Sequence, residues 1–200
     1  MKSCGKPNKH ESEFAVLFVE GKTEYEFFQR AKHQLPFRKI RVINKRGRNT
    51  LLKEAQKDFQ RVRSVYRDVA VIWVLDTEGE EVERLQEYFP ECSCCVVGYA
   101  TPQFAAWLLA DLQAVQQAAK RRRCRIPASI VCKSPEQLPS PENDLIRLLG
   151  NSDKVTTALY VARYFCCDRA RKRSDSLKKF CDELERVFSC LLYTSPSPRD

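Results

Sequence analysis

The chain has 200 residues, of which 43% are hydrophobic and 30% are charged, so it can bury one core of ordinary domain size and is not a peptide-sized scaffold. Its longest apolar runs contain seven residues, far fewer than the roughly 18 that a membrane-spanning helix needs. The polar start Met1–Ser12 has no secretory signal, so we expect no membrane segment and a cytoplasmic location. The net charge of +9 favours polyanionic partners such as nucleic acid.

Strand and helix patterns alternate from the start of the chain. Phe14–Val19 is an apolar run of strand length, and Lys22–Leu35 follows it with helical spacing. Ile40–Ile43 predicts a second strand. It precedes a helix that Asn49 or Thr50 is expected to cap.

The alternation continues to about residue 120. Val69–Leu75 is apolar at every position, which is typical of a central parallel strand covered on both faces. Glu80–Tyr88 predicts a short helix and Cys94–Val97 a fourth strand. The pair Thr101-Pro102 is expected to cap and begin one long helix, Gln103–Lys120. The order predicts an α/β fold with an open parallel sheet of about four strands, flanked by helices.

The pattern changes beyond Arg125, where strands are no longer predicted. Three stretches have helical spacing there: Asn143–Leu149, Lys154–Cys166 and Ser176–Phe188. The sequence therefore predicts extra helices at the C-terminal end of the α/β core.

We divide the chain into a flexible N-terminus (1–12), an α/β core (13–125) and a C-terminal helical extension (126–189). Residues 190–200 then break the pattern abruptly, without helical or strand periodicity. They match, codon by codon, the translation of a transposase-based sequencing adapter. We expect this segment to be foreign and the native C-terminus to be missing.

Acidic residues follow two of the predicted strands. Glu20 comes directly after the first strand and Glu24 lies in the next helical turn, whereas Asp76 and Glu78 follow the most apolar strand. Ligands of open α/β sheets bind beyond the carboxyl ends of the strands. Carboxylates gathered there repel one another unless a divalent cation lies between them, and their oxygens suit Mg²⁺ or Mn²⁺. The four acids predict a metal site, with helix capping as the alternative for Glu20 and Glu24 alone.

The two acidic motifs, Glu20-Gly21-Lys22-Thr23-Glu24 and Asp76-Thr77-Glu78, resemble those of the Toprim fold, which primases, topoisomerases and OLD-type nucleases share. Within that fold, the chain is most similar to bacterial RloB-like proteins and to domain-of-unknown-function family 4276, over residues 14–188. The stretch Gly98–Asp111 resembles the third block of that family. Lys154 falls where its C-terminal helices carry a lysine.

The resemblance implies a nuclease that acts on nucleic acid, in prokaryotic or phage defence, beside an ATPase partner. Glu20, Asp76 and Glu78 would hold one or two Mg²⁺ or Mn²⁺ ions that polarise the phosphate and activate water. Alternatively, Glu20 would act as the general base of the reaction instead of binding the ion. Basic residues in the surrounding loops would hold the phosphate backbone, with ordinary exposed charge as their alternative explanation. They are Lys22, Lys45, Arg46 and Arg48.

Two positions depart from the family pattern. Glu78 stands where the family has aspartate, and Ala105 stands where it has glutamate. The missing carboxylate at Ala105 leaves a second function open, that of a catalytically weakened Toprim module that binds nucleic acid or an ATPase partner. Nucleotidyl transfer, as in primases, is less favoured because no zinc-binding or helicase-binding segment is recognisable.

The chain has ten cysteines, and without an export signal we expect them to be reduced thiols. Cys92, Cys94 and Cys95 form a C-x-C-C cluster that lacks the paired C-x2-C spacing of most zinc sites. We therefore interpret them as small buried hydrophobes. His10 and His33 are isolated, which disfavours histidine-based catalysis.

Overall fold

The structure is a computed structural model, and it describes residues 14–32, 39–66, 69–120, 125–151 and 153–194. The predictions for 1–12, for His10 and His33, and for a helix end at Leu35 lie outside these ranges. The described strands are β1 (Phe14–Val19), β2 (Lys39–Asn44), β3 (Ala70–Asp76) and β4 (Cys95–Ala100). The described helices are α1 (Lys22–Ala31), α2 (Arg48–Val65), α3 (Val82–Gln86), α4 (Phe104–Ala110), α5 (Leu112–Ala119), α6 (Ala128–Val131), α7 (Pro141–Leu149), α8 (Lys154–Ala162), α9 (Cys167–Ala170) and α10 (Asp175–Thr194).

The four strands form one parallel sheet in the order β2-β1-β3-β4. This confirms the predicted α/β class with an open four-stranded sheet flanked by helices, and it is consistent with a Toprim-like fold. β1 and β3 are the central strands, and Val19 pairs with Val74 near their carboxyl ends. Glu20 and Asp76 therefore leave the sheet side by side.

Helices cover both faces of the sheet because successive strand residues point to opposite faces. On one face, Phe18 and Trp73 pack with residues of α2 and α3, such as Leu51 and Leu85. The other face packs against α1, α4, α5, α7, α8 and α10. Helices from both predicted segments, 13–125 and 126–189, thus share the hydrophobic cluster on this second face. Among the described residues, none of the helices has both the length and the apolar composition needed to cross a bilayer.

The predicted long helix Gln103–Lys120 is wrong, because the chain breaks at Asp111 into α4 and α5. The Asp111 side chain is 1% exposed and accepts hydrogen bonds from the amides of Ala114 (3.1 Å) and Cys166 (2.7 Å). It also forms an ion pair with Arg169 at 2.7 Å. A buried carboxylate needs such partners, and these contacts replace the continuous helix.

Two predicted helix starts are also wrong. α4 has Gln103 as its cap, because the Phe104 amide donates to Asp76 and the Pro102 carbonyl accepts from Glu78 in the loop before it. α2 is capped by Gly47, not by Asn49 or Thr50. The Gly47 amide donates to the Glu20 carbonyl at 2.7 Å, and its φ of 135° is one that glycine tolerates.

The C-terminal helices differ from the prediction in their ends. α8 stops at Ala162, short of the predicted Cys166, whose amide bonds to Asp111 instead. α10 continues to Thr194, beyond residue 189 where the sequence pattern breaks; the adapter origin of 190–200 stays a prediction. Cys166 is disulfide-bonded, which corrects the expectation of reduced thiols at that position. The other described cysteines are not disulfide-bonded.

Gly98 lies where α10 packs on β4. A methyl group at this position would come within 2.8 Å of the Phe180 ring and 2.9 Å of the Trp107 ring. These two rings stack with centroids 5.2 Å apart. The absence of a side chain at Gly98 thus lets the aromatic pair rest directly on the strand.

We expect Gly98→Ala to lower the free energy of unfolding by about 1–3 kcal/mol, because an added methyl group in a packed core forces its neighbours to move. Denaturant unfolding measures this change. Phe180→Leu removes the ring that the methyl group meets, so the double variant should lose less stability than the two single variants added together. If the losses of stability in the two single variants add up to the loss in the double variant, the added methyl group does not clash with the Phe180 ring.

Candidate metal centre at the carboxyl edge of the sheet

A cavity of about 280 Å³ opens beyond the carboxyl ends of β1 and β3. The starts of α1 and α4 form its walls, and residues of α7 and α8 line it from the C-terminal helices. Among the described residues around it are five carboxylates and one lysine: Glu20, Glu24, Asp76, Glu78, Glu142 and Lys154. The structure thus brings all four predicted metal-binding acids into one cavity.

Backbone amides orient three of these carboxylates. The Asp76 amide donates to Glu20 Oε2 at 3.4 Å, and the Phe104 amide donates to Asp76 Oδ1 at 2.7 Å. The Gly21 amide donates to Glu24 Oε2 at 3.0 Å. Each acid is therefore directed by a backbone amide at the end of β3, in the loop after β1 or at the start of α4.

Glu78 lies in a tight turn that hydrogen bonds and ion pairs fix to neighbouring elements. Its φ is 51°, and its amide donates to the Pro102 carbonyl at 3.0 Å, while the Thr77 amide donates to the Ala100 carbonyl at 3.0 Å. From α2, Arg48 forms ion pairs with Glu78 (2.9 Å) and Glu80 (2.7 Å). The turn that carries Glu78 is thereby tied to the helix after β2 and to the loop after β4.

The acids resist ionisation in this arrangement. Burial, together with the carboxylates of Glu24 and Glu20, raises the pKa of Asp76 from 3.8 to about 8. Burial also raises the pKa of Glu20, to which Glu24 and Glu78 add. The pKa of Glu24 is raised by burial and by Glu142, while Lys154 acts in the opposite direction. A positive ion in the cavity would relieve this conflict.

The donor set fits a hydrated divalent cation. Within the described ranges, no three acidic side chains bring ligand oxygens within 4.8 Å of one another. Mg²⁺ retains several water molecules and commonly uses one or two protein carboxylates, so widely spaced acids around a roomy cavity suit it. Glu20, Asp76 and Glu78 would surround such an ion, one or two of them in direct contact and the rest through its water molecules, with Glu24 beside them.

The predicted phosphate-binding cations lie outside the lining of the cavity. Lys45 has a side chain only 9% exposed and forms ion pairs with Glu54 and Asp58. The Arg48 side chain forms ion pairs with Glu78 and Glu80. Lys22 and Arg46 are exposed. Contact of these four residues with nucleic acid stays a prediction.

Two lining residues come from the C-terminal helices. Glu142 of α7 has no sequence signal, because no motif surrounds it and only the packing of α7 brings it to the cavity. Lys154 of α8 was indicated only by the family resemblance. Its Nζ lies 2.7 Å from Glu142 Oε1, so the two residues form an ion pair at the wall of the cavity.

The raised pKa of Asp76 predicts a pH dependence of stability. Between about pH 4 and pH 8, the folded chain keeps a proton on Asp76 that the unfolded chain loses, so the free energy of unfolding falls as pH rises and levels off above about 8. We expect melting temperatures in a metal-free, chelated solution to show this fall. Asp76→Asn, which cannot ionise, should flatten it.

Glu83→Gln provides the control, because this exposed acid of α3 lies outside the cavity. It should leave the pH dependence as it is in the wild type. An Asp76→Asn profile parallel to that of the wild type would contradict the assignment of the shifted carboxylate.

Position 105 borders the acids. Ala105 is 9% exposed, lies in the first turn of α4 and lines the cavity. Ala106 is completely buried and does not line it. The two neighbouring alanines thus separate the effect of a carboxylate in the cavity from that of a carboxylate in the core.

We expect Ala105→Glu to lower the melting temperature in metal-free solution, since a further carboxylate enters an already acidic cavity, at a cost of about 1–3 kcal/mol. Added Mn²⁺ should reverse the loss because the ion binds the folded chain. Ala106→Glu should be destabilised whether or not Mn²⁺ is present. If added Mn²⁺ does not restore the melting temperature of Ala105→Glu, position 105 contributes only to packing.

No family model and no curated protein matches the chain, so the resemblance to family 4276 stays a prediction. Solved structures with a similar fold include two C-terminal regions of OLD proteins. The C-terminal region of the Burkholderia pseudomallei OLD protein has a TM-score of 0.49 at 15% identity, covering 88% of this chain and 98% of that one. The C-terminal region of the Xanthomonas campestris pv. campestris OLD protein has a TM-score of 0.45 at 14% identity, covering 90% and 96%. At this level of similarity, neither structure bears on the chemistry of the cavity.

Proposed function

We propose that the chain is a metal-dependent nuclease with a Toprim-like catalytic cavity, which hydrolyses phosphodiester bonds of nucleic acid. One observation carries the proposal. Carboxylates from the ends of two adjacent parallel strands line a single cavity, where burial and then their mutual repulsion raise the pKa values of Glu20 and Asp76. Acids in this state are suited to bind a divalent cation, and the cavity is open enough to admit a ligand beside it.

Bound Mg²⁺ or Mn²⁺ supplies polarisation of the phosphate and activation of the attacking water. Asp76 is the best-oriented ligand, because the Phe104 amide fixes one of its oxygens and leaves the other available. Glu78 is held in its turn by Arg48 with a side chain that is 56% exposed, so it can reach the ion from the solvent side.

Glu20 has two possible roles in the reaction. Its carboxylate can bind the ion, or it can accept a proton from the attacking water. Burial raises its pKa above the ordinary value, which makes it a stronger base than an exposed glutamate. Both roles require the ionised carboxylate beside Asp76.

Positive charge for the phosphate comes first from Lys154, since it lines the cavity. The exposed residues Lys22 and Arg46 are candidates for contact with the nucleic-acid backbone farther out, and the net charge of +9 supports a polyanionic substrate. Lys45 and Arg48 are engaged in ion pairs. We propose that these two support the loops and that any contact with phosphate is secondary.

The context of the activity follows from the sequence resemblance. It supports a role in prokaryotic or phage defence, a cytoplasmic location and a partner ATPase. Activity of the isolated chain is therefore expected to be low.

A non-catalytic module is the second candidate. The observation that favours it is Ala105, which lines the cavity where the resembling family carries a glutamate. A module of this kind would bind nucleic acid or an ATPase partner equally well with and without metal. Binding measurements in Mn²⁺ and in chelator distinguish it from the enzyme.

Cleavage assays on double-stranded DNA, single-stranded DNA and RNA test the leading proposal. We expect cleavage that requires Mg²⁺ or Mn²⁺ and that falls to background in both Glu20→Ala and Asp76→Ala, because each removes a carboxylate next to the reacting phosphate. Glu83→Ala, an exposed acid outside the cavity, should cleave like the wild type. Metal-dependent cleavage that persists in the Glu20→Ala, Asp76→Ala double variant would reject the assignment.

A further inference from the structure

Three cysteine side chains meet at the amino end of β4, at the edge of the sheet opposite the acidic cavity. The sulfur atoms of Cys92, Cys94 and Cys95 all lie within 4.8 Å of one another. The Sγ atoms of Cys92 and Cys94 are 3.1 Å apart. In the part of the chain that the structure describes, no other three side chains with metal-binding atoms come so close.

The fold holds the three thiols in place. The Cys95 amide donates to the Cys92 carbonyl at 3.0 Å, which closes the turn before β4, and the Val71 amide donates to the Cys94 carbonyl at 2.9 Å. Cys94 and Cys95 are buried, whereas Cys92 is half-buried. The cluster is therefore held by the turn before β4 and by backbone hydrogen bonding to β3, with an approach from solvent on the Cys92 side.

We propose that Cys92, Cys94 and Cys95 form a binding site for one soft metal ion, for which Zn²⁺ is the natural occupant. Thiolates select soft ions such as Zn²⁺ over the hard ions that carboxylates prefer. Zinc–sulfur bonds of about 2.3 Å in tetrahedral geometry place sulfurs about 3.8 Å apart, so Cys92 and Cys94 need to separate by less than about 1 Å. The fourth position remains open to water on the exposed side.

The charge state of the cluster is consistent with this proposal. Hydrogen bonds from the Cys95 thiol lower the pKa of Cys94 to about 6; burial opposes this shift, while the Cys92 thiol and the positive charge of Arg63 add to it. A lowered thiol pKa favours the thiolate form that a metal ion binds. Any protons still on the three sulfurs would pass to solvent when the ion binds.

The site would stabilise an exposed part of the fold. β4 is an edge strand that pairs only with β3 in the described sheet. An ion bound by Cys92, Cys94 and Cys95 would join the loop after α3 to the first residue of this strand. The proposed cysteine site uses none of the acids of the cavity, so a test of it does not depend on the proposed nuclease activity.

Cd²⁺ titration of the full chain tests the proposal, because cadmium–thiolate bonds absorb in the ultraviolet and carboxylate sites do not give this signal. The protein is first freed of metal under oxygen-free conditions, without a reductant, so that the disulfide at Cys166 stays closed and adds no thiols. We expect saturation at one equivalent, and loading with Zn²⁺ beforehand should raise the Cd²⁺ concentration needed for the signal, because both ions compete for the same thiolates. Zn²⁺ should also raise the melting temperature of the wild type.

Cys94→Ala should abolish the cadmium–thiolate absorption. Cys92→Ser should lower the affinity for Cd²⁺ by about 10–100-fold or more, since loss of a residue that only supports a metal ligand already costs that much. Cys92 is half-buried, so its variant decides the matter if Cys94→Ala fails to fold. Cys167→Ser is a matched control, because the Sγ atoms of Cys167 and Cys181 are also close, at 2.9 Å, but lie outside the proposed site. Cys167→Ser and Asp76→Asn should both bind Cd²⁺ with the absorption of the wild type. Absorption that survives Cys94→Ala, a Cd²⁺ affinity that Cys92→Ser leaves unchanged, or a titration that does not saturate at one equivalent would overturn the site.

Discussion

The electrostatic repulsion among the acids at the ends of β1 and β3 is the constraint on which the candidate site depends. Parallel pairing brings Glu20 and Asp76 to the same edge of the sheet, and the chain cannot separate them without breaking the register of its two central strands. The acids are half-buried there instead, with raised pKa values. Such an arrangement costs stability in the absence of a cation, and proteins retain such costs at functional sites.

The surrounding loops are organised around this edge. The Glu20 carbonyl accepts the Gly47 amide at 2.7 Å, which brings Arg48 within reach of the turn at Glu78. The loop after β4 is fixed by the Phe104 amide on Asp76. Three connections in different parts of the chain therefore converge on the two central strands, so that the acids are held by backbone contacts and not by packing alone.

Sequence patterns predicted the sheet and the four acids because both depend on local signals. β3 is recognisable from its unbroken apolar run, and parallel strands necessarily bring Glu20 and Asp76 together. The break at Asp111 was not predictable, since its partners Cys166 and Arg169 are distant in sequence. Glu142 was missed for the same reason. The C-x-C-C spacing was visible, but only the turn before β4 shows that its three sulfur atoms converge.

The ion pair between Lys154 and Glu142 links the two kinds of charge that the cavity would receive. The only lysine among the described lining residues is held by a carboxylate of the same wall, at 2.7 Å. If the proposed function holds, a phosphate that binds Lys154 would release Glu142, whose negative charge would then strengthen the attraction for a divalent cation. A cation that draws Glu142 away would likewise free Lys154 for phosphate. The two ligands would thus favour each other's binding through one shared pair of side chains, which is thermodynamic coupling within a single cavity.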